Sequence, residues 1–202
     1  MKGWLNVVMI VLILLGVSQL GHGGYLIIKA QLAQIMLEQA WAEAQDINRD
    51  VAFDPVKPWP WADTSPLAKL RFDELNQSLI VLTGASGRNL AFGPAHVSGS
   101  AVLGEAGVSV IGGHRDTHFA LLQHIGIQDQ LSIELPSGEI IGYKVTNISV
   151  VDSRQSQIAL DADRSTLALV ACYPFDAVEA GGPLRFVVMA EAIKKSPNRL
   201  VL

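Results

Sequence analysis

The sequence predicts an all-β domain, a sandwich or barrel, carried behind an N-terminal apolar helix. From residue 66 onward, short apolar runs are separated by glycine and polar turns, the spacing of a sandwich or barrel. Residues 4–20 hold no charged side chain, and residues 25–45 are rich in Ala, Leu, Gln and Glu without a proline. Between helix and strands lies Asp54-Pro55-Val56-Lys57-Pro58-Trp59-Pro60-Trp61, whose prolines remove donors and restrict their neighbours.

Taken in order, the uncharged stretch that starts after Lys2 ends only at Lys29. That length suits one membrane crossing, which needs roughly 20 apolar residues. A cleavable signal peptide is the competing reading, but Val17-Ser18-Gln19 and Gly21-His22-Gly23-Gly24 are poor cleavage sites. A retained anchor over residues 1–28 is expected, its N-terminus inside by the charge of Lys2. Ile28, Leu32, Ile35, Met36, Gln39 and Ala40 then recur at helical intervals, predicting an amphipathic stalk that can run on from the span. Stalk and Pro/Trp linker together occupy 29–65, and the two tryptophans are expected to pack on the domain surface. Strands are predicted over 67–72, 78–83, 108–113, 130–135, 140–151, 167–172 and 184–190. Pro136-Ser137-Gly138 reads as a hairpin turn. A helix is expected over 117–125, with Asp116 as its N-cap, and a short helical turn within 89–99. The β domain covers 66–192, and 193–202 form a tail.

Half of the 202 residues are hydrophobic, enough for a core, and the net charge is −4. No basic cluster interrupts that acidity, so a nucleic-acid partner is not expected. One cysteine excludes an internal disulfide and any zinc site that needs several thiolates. No run resembles a calcium loop, and Gly181-Gly182 lacks the strand–loop–helix context of a phosphate cradle. Neither metal nor cofactor is expected.

The chemistry points instead to three residues at the ends of apolar runs. Cys172 closes Leu167-Ala168-Leu169-Val170-Ala171, His114 closes Ile111-Gly112-Gly113, and Arg185 sits between Leu184 and Phe186. A thiol, an imidazole and a guanidinium supply a nucleophile, a proton carrier and a fixed positive charge for an oxyanion. Each has an ordinary reading: a buried small hydrophobe, a hydrogen-bonded turn histidine and an edge charge. His118 and His124 read as surface or packing residues, and His96 and His22 carry no argument.

The neighbouring motifs decide between those readings. Leu90 to His96, Gly104-Glu105-Ala106-Gly107, Ile111-Gly112-Gly113-His114-Arg115-Asp116-Thr117-His118-Phe119 and Gln128-Asp129-Gln130 resemble the sortases, in order. So do Thr166 to Phe175, which resembles the nucleophile strand, and Gly181-Gly182-Pro183-Leu184-Arg185-Phe186, which resembles the arginine strand. Cys-Tyr-Pro-Phe-Asp and Gly-Gly-Pro-Leu-Arg, with the Trp-Pro-Trp linker, are most similar to the sortases of Gram-negative proteobacteria. The resemblance implies a closed eight-stranded β-barrel with one or two short helices. It also implies a single-pass cysteine transpeptidase of the bacterial inner membrane, with its catalytic domain on the periplasmic side. Its partners would be a protein with a C-terminal sorting signal similar to Leu-Pro-x-Thr-Gly, and an amine-bearing acceptor. By the same resemblance Cys172 attacks the signal's carbonyl, His114 exchanges protons with departing and incoming amines, and Arg185 holds substrate and oxyanion. One position departs from the family: Ala171 stands where threonine is usual, removing a hydroxyl beside the nucleophile. Two alternatives stay open here, a peptidase that uses water as acceptor and a tethered barrel that only binds peptide.

Overall fold

The computed structural model describes residues 2–47, 55–177, 179 and 181–193. Residue 54 of the linker and the tail beyond 193 lie outside the described residues. The chain divides into two compact units, one ending at Met36 and the other beginning at Leu37. Helix α1, Lys2–Ile47, is unbroken through Gly21, Gly23 and Gly24. In the first unit its apolar side chains from Trp4 to Leu20 are exposed, and the segment is long and apolar enough to cross a membrane.

The second unit holds the last turns of α1 and a closed barrel in the order β1-β2-β3-β4-β7-β8-β6-β5. The strands are β1 Pro66–Phe72, β2 Gln77–Thr83, β3 Ala95–His96, β4 Gly107–Gly112, β5 Gln130–Glu134, β6 Ile140–Asp152, β7 Ser165–Cys172 and β8 Leu184–Ala192. Seven of the eight fall on the sequence-predicted runs. The eighth, β3, lies in the 89–99 stretch read as a helical turn; at two residues it offers no alternation to detect. A helical turn does occur just upstream as α2, Gly87–Leu90, where the Ser86 hydroxyl accepts from Asn89 N–H at 3.2 Å.

The stalk buries the expected stripe only in part. Ile28, Leu32, Ile35 and Gln39 are exposed and Met36 is half-buried, whereas Ala40 is buried as expected, together with Leu37, Trp41 and Ala44, spaced at three and four residues. Leu37 and Trp41 pack with Ile80, Leu82 and Ala95 on the outer face of β2 and β3. After the gap, 55–65 forms no helix, as the prolines require. Trp59 meets the Phe92 ring edge-on at 4.9 Å, as expected, but Trp61 is 82% exposed and packs on nothing that buries it.

The barrel interior is one apolar cluster. It takes Ala68, Leu70 and Phe72 from β1, Leu131 and Ile133 from β5, Tyr143 and Val145 from β6, Leu167, Leu169 and Ala171 from β7, and Val188 and Ala190 from β8. A barrel of eight strands is just wide enough for such side chains to fill it. Phe119, Leu122 and Ile125 join the cluster from the segment around a 3-10 helix, Ala120–His124, shorter than the expected 117–125. Its first turn has Phe119 at the cap position with no side-chain cap, so Asp116 is not the N-cap. The β5–β6 hairpin closes as expected, with Leu135 N–H donating to Glu139 O at 2.8 Å and Gly138 at φ +83°.

Two pairings in the barrel are parallel: β2 with β3, and β4 with β7. Strand β7 is covered on both sides, which is why it reads as an unbroken apolar run: Leu167, Ala168 and Leu169 are all fully buried. Leu167 and Leu169 face the interior, while Ala168 packs outside with Val108, Val110, Val170, Met189, Ile158 and Ala162.

Candidate active site

Because β4 and β7 are parallel, their C-terminal ends lie side by side. Because β8 is antiparallel to β7, its first residues lie beside the last residues of β7. Cys172 is the last residue of β7, Arg185 the second of β8, and His114 follows the end of β4 by two residues. Cys172 is the direct register partner of Arg185. Gly112 pairs with Val170, the last pair of the parallel ladder, and Gly113 N–H donates to Val170 O at 3.0 Å to close it.

Side-chain direction agrees. Successive residues of a strand point to opposite faces, and register partners point to the same one. Val110, Ala168 and Met189 form one outward-facing row across β4, β7 and β8, and Gly112, Val170 and Val187 form the next. Cys172 and Arg185 form the third on β7 and β8, at the open end of the same face. Cys172 is a half-buried free thiol, Arg185 is half-buried, and His114 is exposed. The sulfur is therefore not sealed inside, because it belongs to the outer set of β7.

Ala171 explains itself on the same grounds. Its methyl belongs to the interior cluster and is 2% exposed, on the face opposite Cys172. The side chain at this position packs the barrel.

Among the described residues the three side chains make no hydrogen bond to one another. Arg185 Nη1 donates to Gly182 O at 2.7 Å and to its neighbour Leu184 O at 2.9 Å. Tyr173 N–H also donates to Leu184 O at 3.0 Å, closing the base of the loop that joins β7 to β8. Gly181 and Gly182 both have positive φ, which lets this tight approach present its carbonyl to the guanidinium. At the end of β6, Asp152 feels the Arg185 charge, though its strongest partner is Arg154. Arg154 grips it by N–H and Nε to Oδ1, at 2.9 and 3.0 Å, and by Nη2 to Oδ2 at 2.6 Å. These bonds, followed by the two positive charges, hold the Asp152 carboxyl down to about 2.

The turn that carries His114 is closed by Phe119 N–H donating to His114 O at 2.9 Å. It brings His118 near His114. Burial lowers the His118 pKa, the His114 charge lowers it further, and Asp116 opposes both. Arg115, next in the chain, is buried and donates to main-chain oxygens beyond Cys172. Neither its burial nor the Asp152–Arg185 relation was legible in the sequence. An arginine in a glycine-flanked turn reads as exposed, and Asp152 stands 33 positions from Arg185 in the chain. His96 is also buried, its Nε2 within 2.9 Å of Ala101 O and 3.1 Å of the Ser100 hydroxyl, where it braces a turn.

No cluster of three or more metal-ligating side chains exists among the described residues. A cavity of about 670 Å³ lies between Gly99–Ala101 and the 160–163 segment, lined by Asp161 and Asp163 among others, with none of the three site residues in its wall.

A family model for the sortase domain matches residues 70–193. The chain belongs to the sortase family. Sortase D of Bacillus subtilis is 30% identical to this sortase over 125 residues, 61% of this chain and 62% of that protein. The match thus spans less than two thirds of that relative. Among solved structures, Sortase A from Corynebacterium diphtheriae superposes with a TM-score of 0.60 at 24% identity, covering 82% of this chain and 86% of that one. A Clostridium perfringens Sortase D5 transpeptidase superposes at 0.60 with 18% identity, covering 81% and 99%. At these identities the structural likeness is one of fold, and it agrees with the closed barrel of eight strands.

Proposed function

We propose that this sortase is a membrane-anchored cysteine transpeptidase whose catalytic residues are Cys172, His114 and Arg185. The observation that carries the reading is the register pairing of Cys172 with Arg185 on β7 and β8, with β4, whose end precedes His114, running parallel to β7 on the other side. The Cys172 thiolate attacks the carbonyl carbon of a C-terminal sorting signal similar to Leu-Pro-x-Thr-Gly, forming a C–S bond and an oxyanion. Arg185, permanently charged, sits beside that oxyanion. The scissile C–N bond breaks as protonated His114 gives its proton to the departing amine, leaving a thioester. An amine-bearing acceptor then attacks the thioester and His114 takes back a proton. The C–S bond breaks, the transferred protein leaves as an amide, and the thiolate is restored.

In this reading residues 1–28 anchor the protein in the bacterial inner membrane and 29–65 are stalk and linker. Residues 66–192 form the catalytic barrel on the periplasmic side, and 193–202 are a tail. The apolar N-terminal helix supports the anchor. The wording Cys172-Tyr173-Pro174-Phe175-Asp176 supports kinship with the sortases of Gram-negative proteobacteria. The test is to incubate the protein with a sorting-signal peptide and an amine. Ligated product carrying the amine is expected, and a trapped thioester should be seen on Cys172 by mass spectrometry. Free acid as the only product would make the enzyme a peptidase, and a Cys172→Ala protein that still turns peptide over would end the proposal.

A further inference from the structure

Arg115 is only 8% exposed, and it is the one charged residue among the buried polar side chains of the described chain other than histidine. A guanidinium stays charged and carries five donors, so burying one is unfavourable unless it is hydrogen-bonded. Arg115 Nη2 donates to Ala177 O at 3.0 Å and to Glu179 O at 2.6 Å. No carboxylate pairs with it among the described residues. Filling the same space would need only a long neutral side chain. What the planar cation adds is a strong donor that reaches two carbonyls two residues apart.

Both carbonyls belong to the loop that joins β7 to β8. The ends of this loop are held by other groups: Tyr173 N–H bonds Leu184 O, Ser153 bonds Pro183 O, and Arg185 bonds Gly182 O. Its middle is tied from outside by Arg115, supplementing a long 3.4 Å contact from Ala177 N–H to Pro174 O within the loop. Arg115 also directly follows His114. The tether therefore runs from the turn carrying the imidazole to the loop that leaves the thiol strand.

We propose that Arg115 is a positioning residue, fixing the β7–β8 loop against the His114 turn so that imidazole and sulfur keep one relative placement during acyl transfer. The proposal rests on the transpeptidase reading of Cys172, His114 and Arg185. Misplacing a catalytic group by about 1 Å can cost around a hundredfold in rate. Loss of a tether, rather than of the group itself, should cost about tenfold in turnover.

The test uses the full-length protein in detergent, with Arg115→Met and Arg115→Lys variants. Turnover of a sorting-signal peptide is expressed per thiol titrated by a small alkylating reagent, on the folded fraction of each variant isolated by size-exclusion chromatography. Arg115→Met is expected to lower kcat per thiol about tenfold with KM changed less than about twofold, and Arg115→Lys should recover part of the loss. Hydrogen exchange of the wild-type Ala177 N–H, bonded to Pro174 O within the tethered loop, should show protection that Arg115→Met removes. Unchanged kcat per thiol in Arg115→Met, or a wild-type Ala177 N–H exchanging as fast as a free peptide, overturns the proposal. The second readout decides even if neither variant folds. Unchanged kcat per thiol would leave the transpeptidase reading intact, whereas peptide turnover by Cys172→Ala would remove that reading instead.

Discussion

Cys172 and Arg185 stand directly opposite one another on β7 and β8, and Tyr173 N–H bonds Leu184 O just beyond them. That bond makes them a non-hydrogen-bonded pair, the kind whose Cα atoms lie about 4.5 Å apart and whose side chains approach more closely. The guanidinium is thus delivered to the sulfur by sheet register. Its Nη1 is occupied with the Gly182 and Leu184 carbonyls and is not bonded to the thiol.

Removing that charge should leave the nucleophile in place and weaken the oxyanion. Arg185→Met is expected to lower kcat on a sorting-signal peptide by about a hundredfold, the cost typical of losing one oxyanion donor. Alkylation of Cys172 by a small reagent should proceed as before. Arg185→Lys keeps a charge but loses the planar fork, and should fall between the two. Stopped-flow alkylation beside steady-state kinetics separates these effects.

The Asp152 carboxyl, held down to about 2 by Arg154 first and by the charge of Arg185 last, makes a titration that can be read directly. Its folded value lies below the ordinary 3.8, so the Arg154 interaction is complete above 3.8 and is lost as pH falls toward about 2. Carboxyl-carbon NMR should place the midpoint near that lower value. Arg154→Met should raise it most of the way back, while Arg185→Met should raise it only slightly. A larger rise from Arg185→Met would mean that the Arg185 guanidinium is the main partner of Asp152.

How much of the fold and site was legible in the sequence depends on the physics of each element. Strands such as β1 and β8 announce themselves, because alternating or continuous apolar residues must be buried on one or both faces. β3 could not, since two residues carry no period. The stalk was recognisable as helix, but which stripe it buries depends on the surface it meets. Leu37 and Trp41 are buried because Ile80, Leu82 and Ala95 lie opposite them. His114, Cys172 and Arg185 could be named from their positions at run ends. The pairing of Cys172 with Arg185, and the parallel pairing of β4 with β7, are long-range facts that no local pattern encodes. Arg115 was missed for the same reason: its acceptors are carbonyls 62 and 64 positions away.

His118 offers a pH test of the His114 turn. Its pKa lies below the ordinary 6.5, through burial first and the neighbouring His114 charge second, against the pull of Asp116. The folded state then binds this proton less readily than the unfolded chain. Stability is therefore full above 6.5 and declines as pH drops below it. Imidazole proton NMR should show the His118 midpoint rising in His114→Gln and falling further in Asp116→Asn. Urea midpoints measured at about pH 7.5 and about pH 5.5 should differ less in His118→Gln than in the wild type. An unchanged pH dependence in that variant would show that the turn's stability does not depend on this imidazole.

Gly113 gives the last and most local prediction. A Cβ at this position would stand 2.6 Å from two carbons of the Phe119 ring, well inside contact distance. Phe119 is fully buried in the barrel cluster, so the ring cannot simply swing into solvent. Phe119 N–H also donates to His114 O, which couples the ring's position to the histidine's backbone. Gly113→Ala should therefore act as overpacking, destabilising the fold by about 1–3 kcal/mol and shifting His114 at the same time. Chemical denaturation should register the first effect. Peptide turnover per titrated thiol should fall with the second, while Cys172 alkylation stays near the wild-type rate. Adding Phe119→Leu makes room for the new methyl, and should recover turnover per thiol more than it recovers stability, since a smaller side chain leaves its own cavity. If the double variant turned over no faster than Gly113→Ala alone, the link from the buried ring to the imidazole would be wrong.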